Sequence, residues 1–247
     1  MRTGHRIKEA IGTTLRMTWK AAQTGMDLEK LTVTFSGEGA YMSKTNPRFG
    51  SVDVLVNLPD FRDDKAFSDD HADRIVAMAL HEIGHGFFTD SNAWNDVVKA
   101  NGDDRLLHRC INAFEDVRME HALIASGYAA GSERLLTVLL KHMVKDCDVS
   151  TFKRIENVPF ALCVDGRQYG VSVSHLQTKY KGIVAEAVNR CVDLSSTADS
   201  ALAGLWLWKE LMKDKPQGIK VGDKVRCKIT GKIGTVKSIR RDIAEVV

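Results

Sequence analysis

His81-Glu82-Ile83-Gly84-His85 is the stretch from which the rest of this chain is read. On an α-helix, positions i and i+4 share a face, so the two imidazoles can hold one metal ion. Glu82 follows the first of them and can reach a water on that ion. The surroundings support a helix. Ser68-Asp69-Asp70 supplies an N-cap and an acidic first turn. No proline interrupts the run from Ala72 to Phe88. Val76, Ala79, Leu80, Ile83 and Phe87 form an apolar stripe that points away from His81 and His85. One face is thereby expected to pack on a core while the other holds metal.

A catalytic zinc commonly takes three protein ligands and keeps one position for water. An extended motif with a third histidine is excluded, because Gly86-Phe87-Phe88-Thr89-Asp90 follows the pair. A carboxylate on a later helix is the expected substitute. The best candidate segment is Ile111-Asn112-Ala113-Phe114-Glu115-Asp116-Val117-Arg118-Met119-Glu120, started by Asp103-Asp104. Leu106, Leu107, Ile111, Phe114, Val117 and Ile124 recur there at helical spacing. His108, Asn112, Glu115 and Met119 share one face, and Asp116 and Glu120 form an adjacent row. Acids among apolar residues need a partner if buried, and a metal is one such partner. An exposed face with Glu115, Arg118 and Glu120 paired locally is the bland alternative.

The two segments together resemble the gluzincin-type metallopeptidase domains of phage proteins. They are also similar to the metal-binding half of the cobaltochelatase CobT-like proteins, which carry an N-x-x-E-D-x-R-x-E segment. The resemblance covers roughly residues 30–125. It implies a zincin fold with an N-terminal sheet, an active-site helix and a second helix delivering a Glu ligand. On that match Zn²⁺ is held by His81, His85 and Glu115, with Asp116 the runner-up because a small rotation turns either inward. Glu82 is then the general base in peptide-bond hydrolysis. The resemblance also implies that residues 51–57, as the strand before the active-site helix, lie along a protein or peptide substrate. The chain lacks the long acidic stretch and the von Willebrand A domain of CobT proteins. His121 and Tyr128, beyond the Glu115 helix, are candidates for stabilising an oxyanion.

The expected architecture is α+β: a mainly helical zincin-like domain over 1–214 with a small N-terminal sheet, and a small SH3-like β-barrel over 218–247. Ile7, Ile11, Leu15 and Trp19 mark a basic amphipathic helix over 5–23. Residues 31–35 and 51–56 alternate like strands around a Gly-rich, Pro47-containing turn region. Residues 133–146, 175–193 and 200–213 are helical in pattern, with Trp206 and Trp208 as core anchors. The stretch 158–173, with Pro159, Gly166 and Gly170, suggests a small hairpin. After a linker at Asp214–Gly218, the alternating segments 221–229 and 232–239 resemble KOW or SH3-like barrels. Lys224, Arg226, Lys228, Lys232, Lys237, Arg240 and Arg241 make that module a candidate nucleic-acid contact. It has no Phe, Tyr or Trp for stacking on bases.

The chain has 247 residues and a formal net charge of +3. No apolar run reaches transmembrane length, and Met1-Arg2-Thr3-Gly4-His5 opens no signal-peptide pattern. Cys110, Cys147, Cys163, Cys191 and Cys227 are scattered and show no C-x-x-C spacing. A reducing cytoplasm is therefore expected, the host's if the chain is phage-encoded, with no membrane partner. Two rival functions fit the same residues: a nucleic-acid-associated protein in which the basic module dominates, and an inactive zincin that serves as a binding protein.

Overall fold

A computed structural model describes residues 1–22, 28–45, 52–177, 179–214, 224–226, 233–240 and 243–246. It is α+β, with helices dominant and the sheets small. The chain divides into two units, Met1–Glu210 and Leu211–Val247. In the first unit, helix α1 (Gly4–Ala22) follows a two-residue strand β1 (Arg2–Thr3), which pairs with β5 (Ala66–Phe67). Ile7, Ile11, Leu15 and Trp19 of α1 are all buried, as their spacing predicts.

Strands β2 (Leu28–Phe35), β3 (Tyr41–Thr45) and β4 (Val52–Leu58) form a mixed sheet in the order β2-β4-β3. β4 runs parallel to β2 and antiparallel to β3. It is therefore the central strand, and the expectation that residues 51–57 form the open edge is corrected. The edges are β2 and β3, and the one beside the histidines is β3, whose Ser43-Lys44-Thr45 gives little hydrophobic signal. Buried Asn57 fixes the connection leading into β3. Its amide nitrogen donates to the Ser36 and Gly39 carbonyls, both at 3.0 Å, while its oxygen accepts from Thr34 and Ser36 hydroxyls at 2.9 and 2.7 Å. Every hydrogen-bonding group of this buried amide thereby finds a partner.

Helix α2 (Asp69–Phe88) lies against this sheet. The Ser68 hydroxyl accepts from the His71 N–H at 3.2 Å, as an N-cap should. Val76, Ala79, Leu80, Ile83 and Phe87 are buried with Val54, Val56, Leu58 and the α1 stripe in one core. The helix ends where Thr89 turns extended, and Asp90 then caps α3 (Ser91–Ala100) by accepting from Asn92 N–H at 2.9 Å.

Helix α4 (Arg105–Ser126) is capped by Asp104, which accepts from Leu106 and Leu107 N–H groups, and it stops at left-handed Gly127. It contacts α2, α5 (Ser132–Val144) and α6 (Val158–Arg167). The hairpin expected over 158–173 is instead helix α6, with Pro159 in its first turn, where a missing N–H costs nothing. The long helix expected over 175–193 narrows to α7 (Lys181–Arg190) followed by a single 3₁₀ turn.

Helix α8 (Thr197–Lys213) crosses α4 at Gly204. A Cβ there would stand 2.5 Å from the Ile111 Cα and 2.6 Å from its nitrogen. Trp206 and Trp208 are half-buried rather than central. The Arg190 guanidinium lies 4.0 Å from the Trp206 ring centroid, and the Trp208 indole N–H donates to Asp104 at 3.2 Å. Gly204→Ala should lower stability by about 1–3 kcal/mol, even though alanine favours a helix by about 1 kcal/mol. Backbone atoms of α4 cannot yield as a side chain could. A denaturant melt that shows the variant equal to or more stable than the parent would contradict this packing.

In the second unit, β6 (Lys224–Arg226), β7 (Ile233–Arg240) and β8 (Ile243–Val246) pair antiparallel in sequence order. The remainder of the expected linker and barrel, with Lys228, Lys232 and Arg241, lies outside the described residues. Among the described residues, no helix is long and apolar enough to cross a membrane.

Candidate metal centre

The close approach of α2 and α4 builds the site. It is made possible by Gly84, inside the five-residue motif, where a Cβ would collide with the Met119 Sδ of α4. Met119 is fully buried, so the sulfur has little room to withdraw. With the helices this close, the row of α4 that faces His81 and His85 is the one bearing Asp116 and Glu120.

His81 Nε2 and His85 Nε2 lie 3.2 Å apart. Asp116 Oδ1 is 3.2 Å from the second nitrogen and 3.7 Å from the first. These three side chains form the group whose ligand atoms converge tightly enough for one ion. Two nitrogens bound at about 2.0–2.1 Å to one tetrahedral ion would stand about 3.3 Å apart, which matches the observed spacing.

The outer nitrogens are held in a way that leaves the inner ones free. Glu120 Oε1 lies 2.7 Å from His81 Nδ1. An ionised carboxylate only accepts, so Nδ1 carries the proton and Nε2 keeps a lone pair. Thr89 Oγ1 is 2.9 Å from His85 Nδ1, and its hydroxyl donates to Glu115 Oε1 at 2.7 Å. Having spent its one proton on Glu115, Thr89 must accept from His85, and the second Nε2 is freed as well. Asp116 Oδ2 accepts from the Asn112 amide at 2.9 Å, while Oδ1 is buried without a hydrogen bond. Three acceptor atoms thus face one another, and an orphaned buried oxygen is costly unless a cation or proton joins it. Burial opposes charge on His81, but Asp116 and Glu120 outweigh it and push the imidazole up to about 9, so at neutral pH a proton holds the Nε2 position for which a cation would compete. The site is built to hold positive charge.

Glu115 is fully buried but faces elsewhere. Its carboxylate accepts from Arg118 Nε at 2.9 Å and Nη2 at 2.6 Å, and from the Thr197 hydroxyl at 2.9 Å. Arg118 Nη2 also donates to the Phe88 carbonyl at 2.7 Å. The structure thus brings Asp116, not Glu115, to the histidines. Glu115 supports the site one step out, through Thr89. The physical reason is that Arg118, one turn on, claims the Glu115 carboxylate for a two-pronged ion pair.

Glu120 is anchored in the same fashion. Arg167 donates to it through Nε at 2.7 Å and Nη2 at 2.8 Å, and Tyr169 Oη donates at 3.0 Å. Burial favours the protonated form of Glu120, but Arg167 and His81 outweigh it and hold the carboxyl far below its usual range. Arg167 also contacts Cys163 through both its carbonyl and its sulfur. Neither Arg167 nor Tyr169 was expected at the site. Their signal in sequence is a lone arginine at the end of an apolar helix, which is lost when the segment is read as a hairpin.

Glu82 opens onto a cleft of ≈ 390 Å³ that also exposes His81 and His85 and is bounded by Ala40, Tyr41 and Met42 at the β3 edge. Among the described residues it takes no hydrogen bond or ion pair. Burial raises its carboxyl above the usual range, against the pull of the two histidines. His121 and Tyr128 do not border this cleft. His121 Nε2 lies 3.0 Å from the Arg167 carbonyl, and Tyr128 stacks on Phe88. Comparison with protein-family models, with curated proteins and with solved structures returns no match to this chain.

Proposed function

We propose that this chain is a metal-dependent hydrolase acting on peptide bonds, with His81, His85 and Asp116 as ligands and Glu82 as general base. The observation that carries the reading is the convergence of two imidazole Nε2 atoms on a buried, unpartnered carboxylate oxygen beside a free glutamate. Nitrogen and oxygen donors at this spacing suit zinc, and the outer hydrogen bonds that the histidines donate to Glu120 and Thr89 are those that orient ligand histidines. A bound zinc ion supplies a Lewis acid that polarises a carbonyl and makes water more acidic. The protein supplies the rest. Asp116, held by Asn112, and the two histidines fix the ion's position at the cleft floor. Glu82 accepts the proton of the attacking water and returns it to the leaving amine, a role favoured by a carboxyl whose affinity for protons is raised by burial.

The supporting evidence to obtain is chemical. Protein dialysed against zinc should carry one ion per chain and cleave members of a peptide library, and a chelator should abolish that cleavage. Protein that holds zinc through His81 and His85 yet cleaves nothing would leave a metal-dependent binding protein in place of a hydrolase.

A further inference from the structure

A second cavity of ≈ 360 Å³ adjoins the metal cleft, sharing Trp94 and Asn112 as a common wall. Asp116 reaches its lining too, so the Asn112–Asp116 hydrogen bond separates the cavity from the histidines. Much of the wall is apolar, from Ala113, Met143, Pro159 and Phe160. Arg109 stands in this wall, half-buried, and among the described residues it makes no hydrogen bond or ion pair. Its neighbours explain why. His108, beside it, is taken up by Asp103 at 2.6 Å, and Asp104 is spent on the α4 cap and Trp208. An arginine with five donors and no acceptor, set in an apolar wall, is matched by a ligand that combines apolar bulk with a negative charge.

We infer that this cavity is the recognition subsite of the proposed hydrolase, taking a large apolar side chain while Arg109 pairs with a carboxylate next to it. The proposal rests on the hydrolase reading for its biological meaning. The simplest such ligand is the C-terminal residue of a peptide, and an internal acidic residue after an apolar one offers the same chemistry. The spacing is suitable. Arg109 precedes Asp116 by two helical turns, about 10 Å along α4, which is within the combined reach of one residue and an arginine side chain.

The test is a binding titration that needs no turnover, using full-length protein with and without zinc. The probes are N-acetyl-phenylalanine, N-acetyl-phenylalaninamide and N-acetyl-phenylalanyl-glutamate with its C-terminal and side-chain carboxyls respectively blocked as amide and left free. N-acetyl-phenylalanine should bind at least about tenfold tighter than its amide, zinc-loaded or zinc-free. Arg109→Gln should erase that difference, and Ala113→Leu should weaken both probes by narrowing the cavity. Both variants should keep the parental zinc content, which separates a lost subsite from a misfolded chain. Equal affinity for the glutamate-bearing probe would assign the internal acidic source and retain the subsite. No preference for the carboxylate, or a preference that survives Arg109→Gln, would overturn the proposal. Were it to survive only in zinc-loaded protein, the carboxylate would be sitting on the zinc. A chain that cleaves peptides without this preference keeps the hydrolase reading and loses the subsite. One that prefers the carboxylate but binds no zinc does the reverse.

Discussion

Asp116→Ala protein should lose zinc affinity by more than about a hundredfold, whereas Glu115→Ala protein should still bind zinc but unfold more readily. Removing a ligand must cost more than removing an outer hydrogen-bond partner, for which about 10–100-fold is typical. Glu115 makes the contrast sharp because it is adjacent in sequence and is also a buried carboxylate. Its loss would strand the Arg118 guanidinium in the interior, at a cost of about 3–5 kcal/mol. It would also free the Thr89 hydroxyl from its acceptor, so a smaller loss of zinc affinity is expected alongside. Competition with a chromophoric chelator measures the first quantity and a denaturant melt the second. If Glu115→Ala abolished zinc binding while Asp116→Ala spared it, the assignment of ligands would be reversed.

Glu82→Gln should retain zinc and its parental melting behaviour while peptide cleavage falls by at least about a hundredfold. The amide matches the carboxylate in size but cannot take a proton from water at neutral pH, and a general base contributes about 10²–10⁴ in rate. Glu82 makes no structural bond among the described residues, so its replacement should leave the fold alone. Zinc analysis and single-peptide kinetics on the same preparation separate a lost base from a lost metal. Undiminished cleavage would remove Glu82 from the chemistry.

Much of this arrangement could be read from the sequence because local signals agreed. The Ser68 and Asp104 caps, the apolar stripe of α2 and the spacing of α4 each predict their helix, and each is found there. What could not be read was rotation and partnership. Glu115 and Asp116 are neighbours on a helix that buries Glu115, Asp116, Arg118 and Glu120 within two turns. Only the placement of Arg118 and Arg167 decides which acid is already satisfied. The edge strand escaped notice for another reason. Tyr41–Thr45 has no apolar alternation; its backbone pairing with β4 holds it, and Asn57 fixes the connection that precedes it. Helix α6 is hidden in the sequence because its proline and glycine resemble turn punctuation. In the fold the proline opens a helix, and Gly166 sits close against Val117 of α4.

The proposed ligands come from two helices, a pair from α2 and one from α4, with the whole of α3 between them. An ion held there would be a removable staple as well as part of the proposed chemistry. It would tie α2 to α4 across that intervening chain, in addition to the packing of Gly84 against Met119. An ion that binds only the folded chain adds about 2.7 kcal/mol to its stability at a free concentration one hundred times Kd. The melting temperature would then report the free zinc of the surrounding solution. If the proposed site holds zinc, a cell short of that metal would leave the protein easier to unfold and degrade.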